Sequence, residues 1–289
     1  MDAAPGHHVH SPHIGLPARP AWRGRTPRPP APIEPFDLCH ASVPEALDGL
    51  TVLHLSDTHV ERINRRSGYH RDLVRALPHV RPDLIVHTGD FMTMPGDERA
   101  ALDALKELAD HWNPRFGAFG IPGNHDTALF LRHARRVHGF RLLEHESVKI
   151  PIDLGRGGCE FAIVGSGFPE SLLAASRGAD CFTLTLVHYP SEIYAAAQLG
   201  LPLVLSGHTH GGQIRTHAAL APHTSCDLPG NLASGIFRLR DTLLCISRGL
   251  GVAIVPLRLQ CAPQAPLYTL KRAPTPGSPC DRLEPIRRW

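Results

Sequence analysis

Five short motifs constrain this chain more than anything else in it. They read Asp57-Thr58-His59, Gly89-Asp90, Gly123-Asn124-His125-Asp126, His188 and Gly207-His208-Thr209-His210. Together they hold three Asp, one Asn and five His, and most sit where an apolar run meets a turn. A parallel sheet presents its functional groups just past the C-terminal ends of its strands. Carboxylates and imidazoles gathered at such an edge read as ligands for divalent metal.

The runs between the motifs supply the elements. Leu50 to Leu55 is apolar and ends at Ser56-Asp57. Leu73, Val74, Leu77 and Val80 have helical spacing, and Pro82 stops that helix. Leu84 to Val86 opens a strand that ends at Gly89-Asp90, and residues 98–111 form a second helix with Leu102, Leu105 and Leu108 on one face. Phe116 to Ile121 is a strand leading into Gly123, and residues 127–138 read as helix. Later strands are predicted around 147–152, 160–165, 182–188, 202–206, 235–240 and 242–247, with Arg240-Asp241 as a hairpin turn. Strand and helix alternate early and strands dominate late. The class is α/β: a sandwich of two sheets with the motif loops along one edge. His54 and His87 each precede a motif aspartate by three residues, and they read as core histidines lying side by side beneath the covering helices.

The bounds are drawn by composition. Residues 1–35 are rich in Pro, His and Arg and read as a disordered tail, in which His7, His8, His10 and His13 are solvated. The folded domain is expected over 36–272, with a second tail over 273–289. Both tails carry a basic excess, which leaves the middle slightly acidic and argues against nucleic acid as a partner. The seven cysteines are widely spaced, with no C-x-x-C, and read as reduced thiols of a cytoplasmic protein. No apolar run is long enough to span a bilayer, and the N-terminus has no signal-peptide core. Arg62, Arg65, Arg66, Arg71 and Arg75 read as a solvated basic face, with an anionic head group as the sharper alternative. Arg248, in a glycine-flanked turn, has two open readings: a substrate phosphate or a local carboxylate.

The motif residues suit a pair of divalent metals ~3.5–4 Å apart, an arrangement that clamps a phosphoryl group and generates hydroxide near neutral pH. Such a pair needs an anionic bridge, and Asp90, alone at a strand end, fits it. Asp57 and His59 are two apart and can face one metal, while the Asn124 oxygen suits the second. His188, His208 and His210 complete the imidazoles. Gly207, Gly211 and Gly212 are expected to allow tight turns and leave room for substrate. His125 is then left over beside the metals, as the group to protonate a leaving oxygen or to hydrogen-bond the developing charge. Asp126 is expected to orient or charge it.

In its order of motifs the chain resembles the calcineurin-like metallophosphoesterases. Gly207-His208-Thr209-His210-Gly211-Gly212-Gln213-Ile214, Ser247-Arg248-Gly249-Leu250-Gly251 and Pro256-Leu257-Arg258 are similar to the bacterial branch of membrane-peripheral phosphodiesterases, which includes UDP-diacylglucosamine hydrolases. Pro44 to Leu50 fits the same branch, and the resemblance covers residues 36–272. It implies a four-layer αββα sandwich of two mixed β-sheets. It implies one metal on Asp57, His59, Asp90 and His210, and another on Asp90, Asn124, His188 and His208, the ions being manganese, iron or zinc. His125 is implied as the catalytic acid or transition-state donor. The resemblance further implies hydrolysis of a phosphodiester or pyrophosphate by metal-bound hydroxide, with a lipid-linked substrate first in line and a site of action peripheral to the inner membrane. The alternatives are a nucleotide or nucleic-acid phosphodiesterase and a non-catalytic binding module. Departures from the branch fall in loops: Ser166 to Glu170, residues 218–235 without Lys or Arg, and Pro263-Gln264.

Overall fold

Parallel strands that end in the motifs fill the middle of two face-to-face sheets. The architecture comes from a computed structural model that describes residues 32–62, 68–167, 171–216, 220–224, 226–253, 255–275 and 281–289. In chain order the first half runs β1 (Ile33–Cys39), β2 (Thr51–Leu55), α1 (Gly68–Val80), β3 (Leu84–His87), α2 (Glu98–His111), β4 (Ala118–Gly120), α3 (Ala128–Ala134) and β5 (Arg141–Leu142). The second half runs β6 (His145–Ile152), β7 (Cys159–Ser166), α4 (Leu172–Ala175), β8 (Phe182–Val187), α5 (Ile193–Gln198), β9 (Leu203–Ser206), β10 (Gly235–Leu239), β11 (Thr242–Ile246), β12 (Ala265–Lys271) and β13 (Glu284–Arg288).

One sheet has the order β1-β12-β2-β3-β4-β5 and the other β13-β10-β11-β9-β8-β7-β6. Strands β2 to β5 are mutually parallel, as are β7, β8, β9 and β11. Antiparallel partners β12, β6 and β10 make both sheets mixed. Between the sheets lies a core that includes Val86, Phe119, Phe161, Leu186, Leu205 and Tyr268. Helices α1 to α3 cover the outer face of the first sheet, and α4 and α5 that of the second. The order of layers is αββα.

Local sequence explains the helices. Helix α2 is rich in Ala, Leu and Glu, good helix formers, and buries Ala101, Ala104, Leu105 and Leu108 on one stripe. It stops where Trp112 turns extended ahead of Pro114. Helix α1 ends at Val80, and Arg81 takes a left-handed φ of 45° before Pro82. Helix α3 is shorter than the 127–138 expected, and 3-10-like turns carry the chain on to β5.

Ordered structure passes both sequence-drawn bounds. Strand β1 starts at Ile33, and β13 adds an edge strand within the segment expected to be a tail. The reason is packing: the Trp289 ring stacks on Phe36 at 4.4 Å, and Arg287 lies over the same ring. The remainder of the N-terminal tail, together with Arg65, Arg66, Phe168, Pro169 and Glu170, lies outside the described residues.

His54 and His87 are both buried but do not lie side by side. In the β2–β3 register His54 pairs with Val86, and His87 pairs with Leu55. That one-residue offset sends the two rings to opposite faces. His87 stacks on Phe91 beneath the helices at 3.7 Å, while His54 points between the sheets, 6.1 Å from the Tyr268 ring. Burial lowers each to about 3 from 6.5. The unfolded chain therefore takes up protons below pH 6.5 that the native fold refuses, and each histidine costs stability as pH falls from 6.5 toward 3. In EDTA, urea unfolding of His87→Gln should lose less stability than wild type between pH 7 and pH 5, by about 2 kcal/mol. The comparison is a difference because raised groups such as His188 act in the opposite direction. Parallel pH profiles for the two proteins would refute it.

Candidate metal centre

All five motifs follow the C-terminal ends of parallel strands. Asp57 and His59 follow β2, Asp90 follows β3, Asn124 to Asp126 follow β4, His188 follows β8, and His208 and His210 follow β9. The first sheet thus contributes three motifs and the second two, and they meet at one end of the sandwich. Three groups of side chains bring ligand atoms within 4.8 Å of one another: Asp57, His59 and His210; His59, Asp90 and His125; Asp90, His188 and His208.

Asp90 sits at the junction. Its Oδ2 is 3.4 Å from His59 Nε2 and 3.2 Å from His188 Nε2, while Oδ1 accepts the His125 amide at 2.9 Å. On one side His59 Nε2 faces His210 Nε2 at 3.0 Å, with Asp57 Oδ1 3.7 Å from the latter. On the other, His188 Nε2 faces His208 Nδ1 at 3.1 Å, with Asn124 Oδ1 at 3.0 Å. His188 donates its Nδ1 proton to the Thr88 carbonyl at 2.7 Å, so its Nε2 lone pair points inward.

This donor set fits divalent cations. Imidazole nitrogens that face each other at 3.0 and 3.1 Å are placed to share a proton or a cation, and mixed nitrogen and oxygen donors suit borderline metals. The titration behaviour agrees. Burial lowers His188, but Asp90 overrides it and the imidazole is pushed up to about 9. Burial raises Asp90, but His188 and His59 hold it well below the usual carboxylate range. Burial also raises Asp57, which His210, His188 and His59 pull back below its ordinary value. Burial takes His210 down to about 3. The centre draws positive charge toward Asp90.

The backbone is strained where it carries these groups. Asp57, His59, Asp90, His208 and His210 all have left-handed φ, between 41° and 70°. Such values are uncommon outside glycine and cluster at functional sites.

Asp126 does not touch His125 as expected. Its carboxylate accepts the amides of Gly123 at 2.8 Å, Phe91 at 2.8 Å, Asp90 at 3.0 Å and Met92 at 3.3 Å. It clasps the loop after β4 to the loop after β3. His125 is oriented instead by the Thr93 carbonyl, 2.6 Å from Nδ1. Gly211 and Gly212 make the expected tight turns, at φ 62° and 80°, but the room expected for substrate is filled by protein. A Cβ on Gly207 would strike Ser56 and Asp57, and one on Gly212 would strike Ala221, so these residues make room for protein rather than for substrate.

Arg248 resolves toward the local carboxylate, Glu34, at 2.6 Å. Two further arginines escaped the motif reading. Arg258 donates to the carbonyls of Arg248 at 2.8 Å, Gly251 at 2.9 Å and His210 at 3.2 Å, and so ties three loops behind the centre. Arg215 links the Gly211 carbonyl, the Ser234 hydroxyl and the Trp289 carbonyl. A carbonyl-binding arginine leaves no spacing pattern, so only the likeness around Pro256-Leu257-Arg258 pointed to one of them. Beside the centre lies a cavity of about 260 Å³, lined by His208, His210, Ile214, Pro222, Ala253 and Val255 among others. Among the described residues no helix is long and apolar enough to cross a membrane.

Known proteins are similar to this chain in sequence. YkuE of Bacillus subtilis, an uncharacterized metallophosphoesterase, is 28% identical over 79% of this chain and 82% of its own length. YaeI of Escherichia coli, a phosphodiesterase, is 26% identical over 76% of this chain and 81% of its own. LpxG of Chlamydia muridarum, a UDP-2,3-diacylglucosamine pyrophosphatase, is 30% identical, but over only 32% of this chain and 27% of its own. Residues 50–212 match the calcineurin-like phosphoesterase family, a span that takes in all five motifs and more than half the chain. The chain belongs to that family and is a metal-dependent phosphoric ester hydrolase.

Proposed function

We propose that the centre holds two divalent cations, manganese, iron or zinc, and hydrolyses a phosphodiester or pyrophosphate bond in a substrate that carries an apolar, lipid-like group. The observation that carries the two-cation reading is the placing of Asp90 Oδ2 between His59 and His188, each with a second imidazole opposite it. Asp57, His59, Asp90 and His210 would hold one cation, and Asp90, Asn124, His188 and His208 the other. Bound there, the cations would supply charge for the phosphoryl oxygens and acidify an attacking water.

The chain's own residues do the rest. With its Nδ1 proton given to the Thr93 carbonyl, His125 would donate to the leaving oxygen from Nε2 in its imidazolium form and be left neutral. Asp126 fixes the loop that carries Asp90, so the shared carboxylate does not drift. The apolar substituent is assigned to the cavity walled by Ile214 and Val255, which borders His208 and His210. Exposed Leu257 and Leu259 extend that apolar surface, and contact with a membrane surface suits such a substrate. A relative that is a pyrophosphatase for a diacyl sugar nucleotide supports the same substrate class.

Metal-stripped protein resupplied with manganese should turn over bis-p-nitrophenyl phosphate, and Asp90→Ala or His210→Ala should fall to background. Wild-type turnover by both variants would sink the assignment, and turnover of p-nitrophenyl phosphate alone would make the protein a monoesterase. His125→Ala should retain its metal content and lose about 10²- to 10⁴-fold in kcat. An unchanged kcat would remove His125 from the chemistry. Val255→Asp should lower kcat/KM for a long-chain alkyl p-nitrophenyl phosphate at least about tenfold and leave the bis-aryl diester alone. Equal loss on both substrates would contradict the cavity assignment.

A further inference from the structure

A chain of hydrogen bonds runs from the core to the metal centre, and none of its first three members belongs to the motif ligands. His54 Nε2 is 2.8 Å from Thr88 Oγ1, Thr88 Oγ1 is 2.7 Å from Ser56 Oγ, and Ser56 Oγ is 2.6 Å from Asp57 Oδ2. All four residues are fully buried.

Chemistry fixes the direction of this chain. Ser56 Oγ donates to Asp57 Oδ2 and so spends its one hydroxyl proton there. Ser56 then accepts from Thr88, which spends its own proton in turn. Thr88 Oγ1 can only accept from His54, so His54 carries its proton on Nε2 and leaves Nδ1 bare. That nitrogen has no hydrogen-bond partner among the described residues. Every donor therefore points one way, toward the carboxylate.

Packing alone does not explain the arrangement. A buried imidazole with one nitrogen unmatched costs more than an apolar ring of the same size beside Tyr268. Thr88 also joins the two halves of the centre. Its hydroxyl serves the Asp57 side, and its carbonyl accepts His188 Nδ1 at 2.7 Å on the other.

We propose that His54, Thr88 and Ser56 are positioning residues: a one-way hydrogen-bond relay that orients and polarises the Asp57 carboxylate and so sets cation affinity on the Asp57–His59–His210 side of the centre. The proposal rests on the two-cation reading above. Oxygen Oδ2 is tied to Ser56, and the His208 amide lies 3.0 Å from Oδ1, so the carboxylate has one orientation available. A relay that fixes a ligand in this way is worth about 10- to 100-fold in metal affinity.

The test is a calorimetric titration of metal-stripped protein with manganese, with circular dichroism to confirm the fold of each variant. Wild type should bind two ions. Thr88→Val, which deletes the hydroxyl and keeps the shape, and Ser56→Ala should each weaken one of the two by about 10- to 100-fold and leave the other within about threefold. Thr88→Ser, which restores the hydroxyl, should recover wild-type affinity. Adding His54→Phe to Thr88→Val should cost nothing further, because the relay is already cut. In assays, kcat should fall at low manganese and return at high manganese, with KM for the diester unchanged. Unaltered manganese affinity in Thr88→Val, or a Thr88→Ser variant as weak as Thr88→Val, overturns the relay. A wild-type protein that binds fewer than two ions overturns the two-cation reading, and the relay with it.

Discussion

One carboxylate, Asp90, stands at the junction of the two sheets. Asp90 rises from the first sheet, is pinned through Oδ1 by the His125 amide, and offers Oδ2 to His59 from its own sheet and His188 from the other. The rest of the centre follows from keeping that oxygen still. Asp126 gathers the amides around Asp90, and the core between the sheets sets the spacing across which His188 must reach. A shift of one residue in the register of β3 would turn Asp90 to the wrong face and dissolve the centre.

Holding like groups together has a cost that the fold absorbs elsewhere. Five motif residues sit in left-handed backbone, at about 1–3 kcal/mol each. Imidazoles face one another, and carboxylates lie buried. Three apolar layers, one beneath the helices on each sheet and one between the sheets, offset this, and loops tied by Arg258 keep the strained segments from relaxing. A scaffold of this kind is overdetermined away from its site and frustrated at it.

Much of this was legible in the sequence, because parallel strands end abruptly and their last apolar residue marks where a ligand stands. The motif residues from Asp57 to His210 were picked out in that way, and the fold brings them to one end of the sandwich; the main strands of the second sheet were read likewise. Other elements left no comparable signal. Strands β1, β12 and β13 lie far from the motifs, and β13 is held by a tryptophan stacked on a phenylalanine some 250 residues earlier in the chain. The relative faces of His54 and His87 depended on an inter-strand register that neither strand encodes alone. Asp126 was assigned to its sequence neighbour, whereas a carboxylate in a tight loop more readily gathers free amides. Ser56 and Thr88 were invisible, since a hydroxyl beside a ligand has no periodicity.

The last strand has a further meaning. Trp289 offers its carbonyl to Arg215, and Arg215 offers its guanidinium to Gly211, which follows His210 directly. Two hydrogen bonds thus separate the edge of the second sheet from the metal loop. The edge strand works as a guy-rope as well as a border: slack introduced in residues 281–283 would travel along it and be felt as a loosened imidazole at its far end.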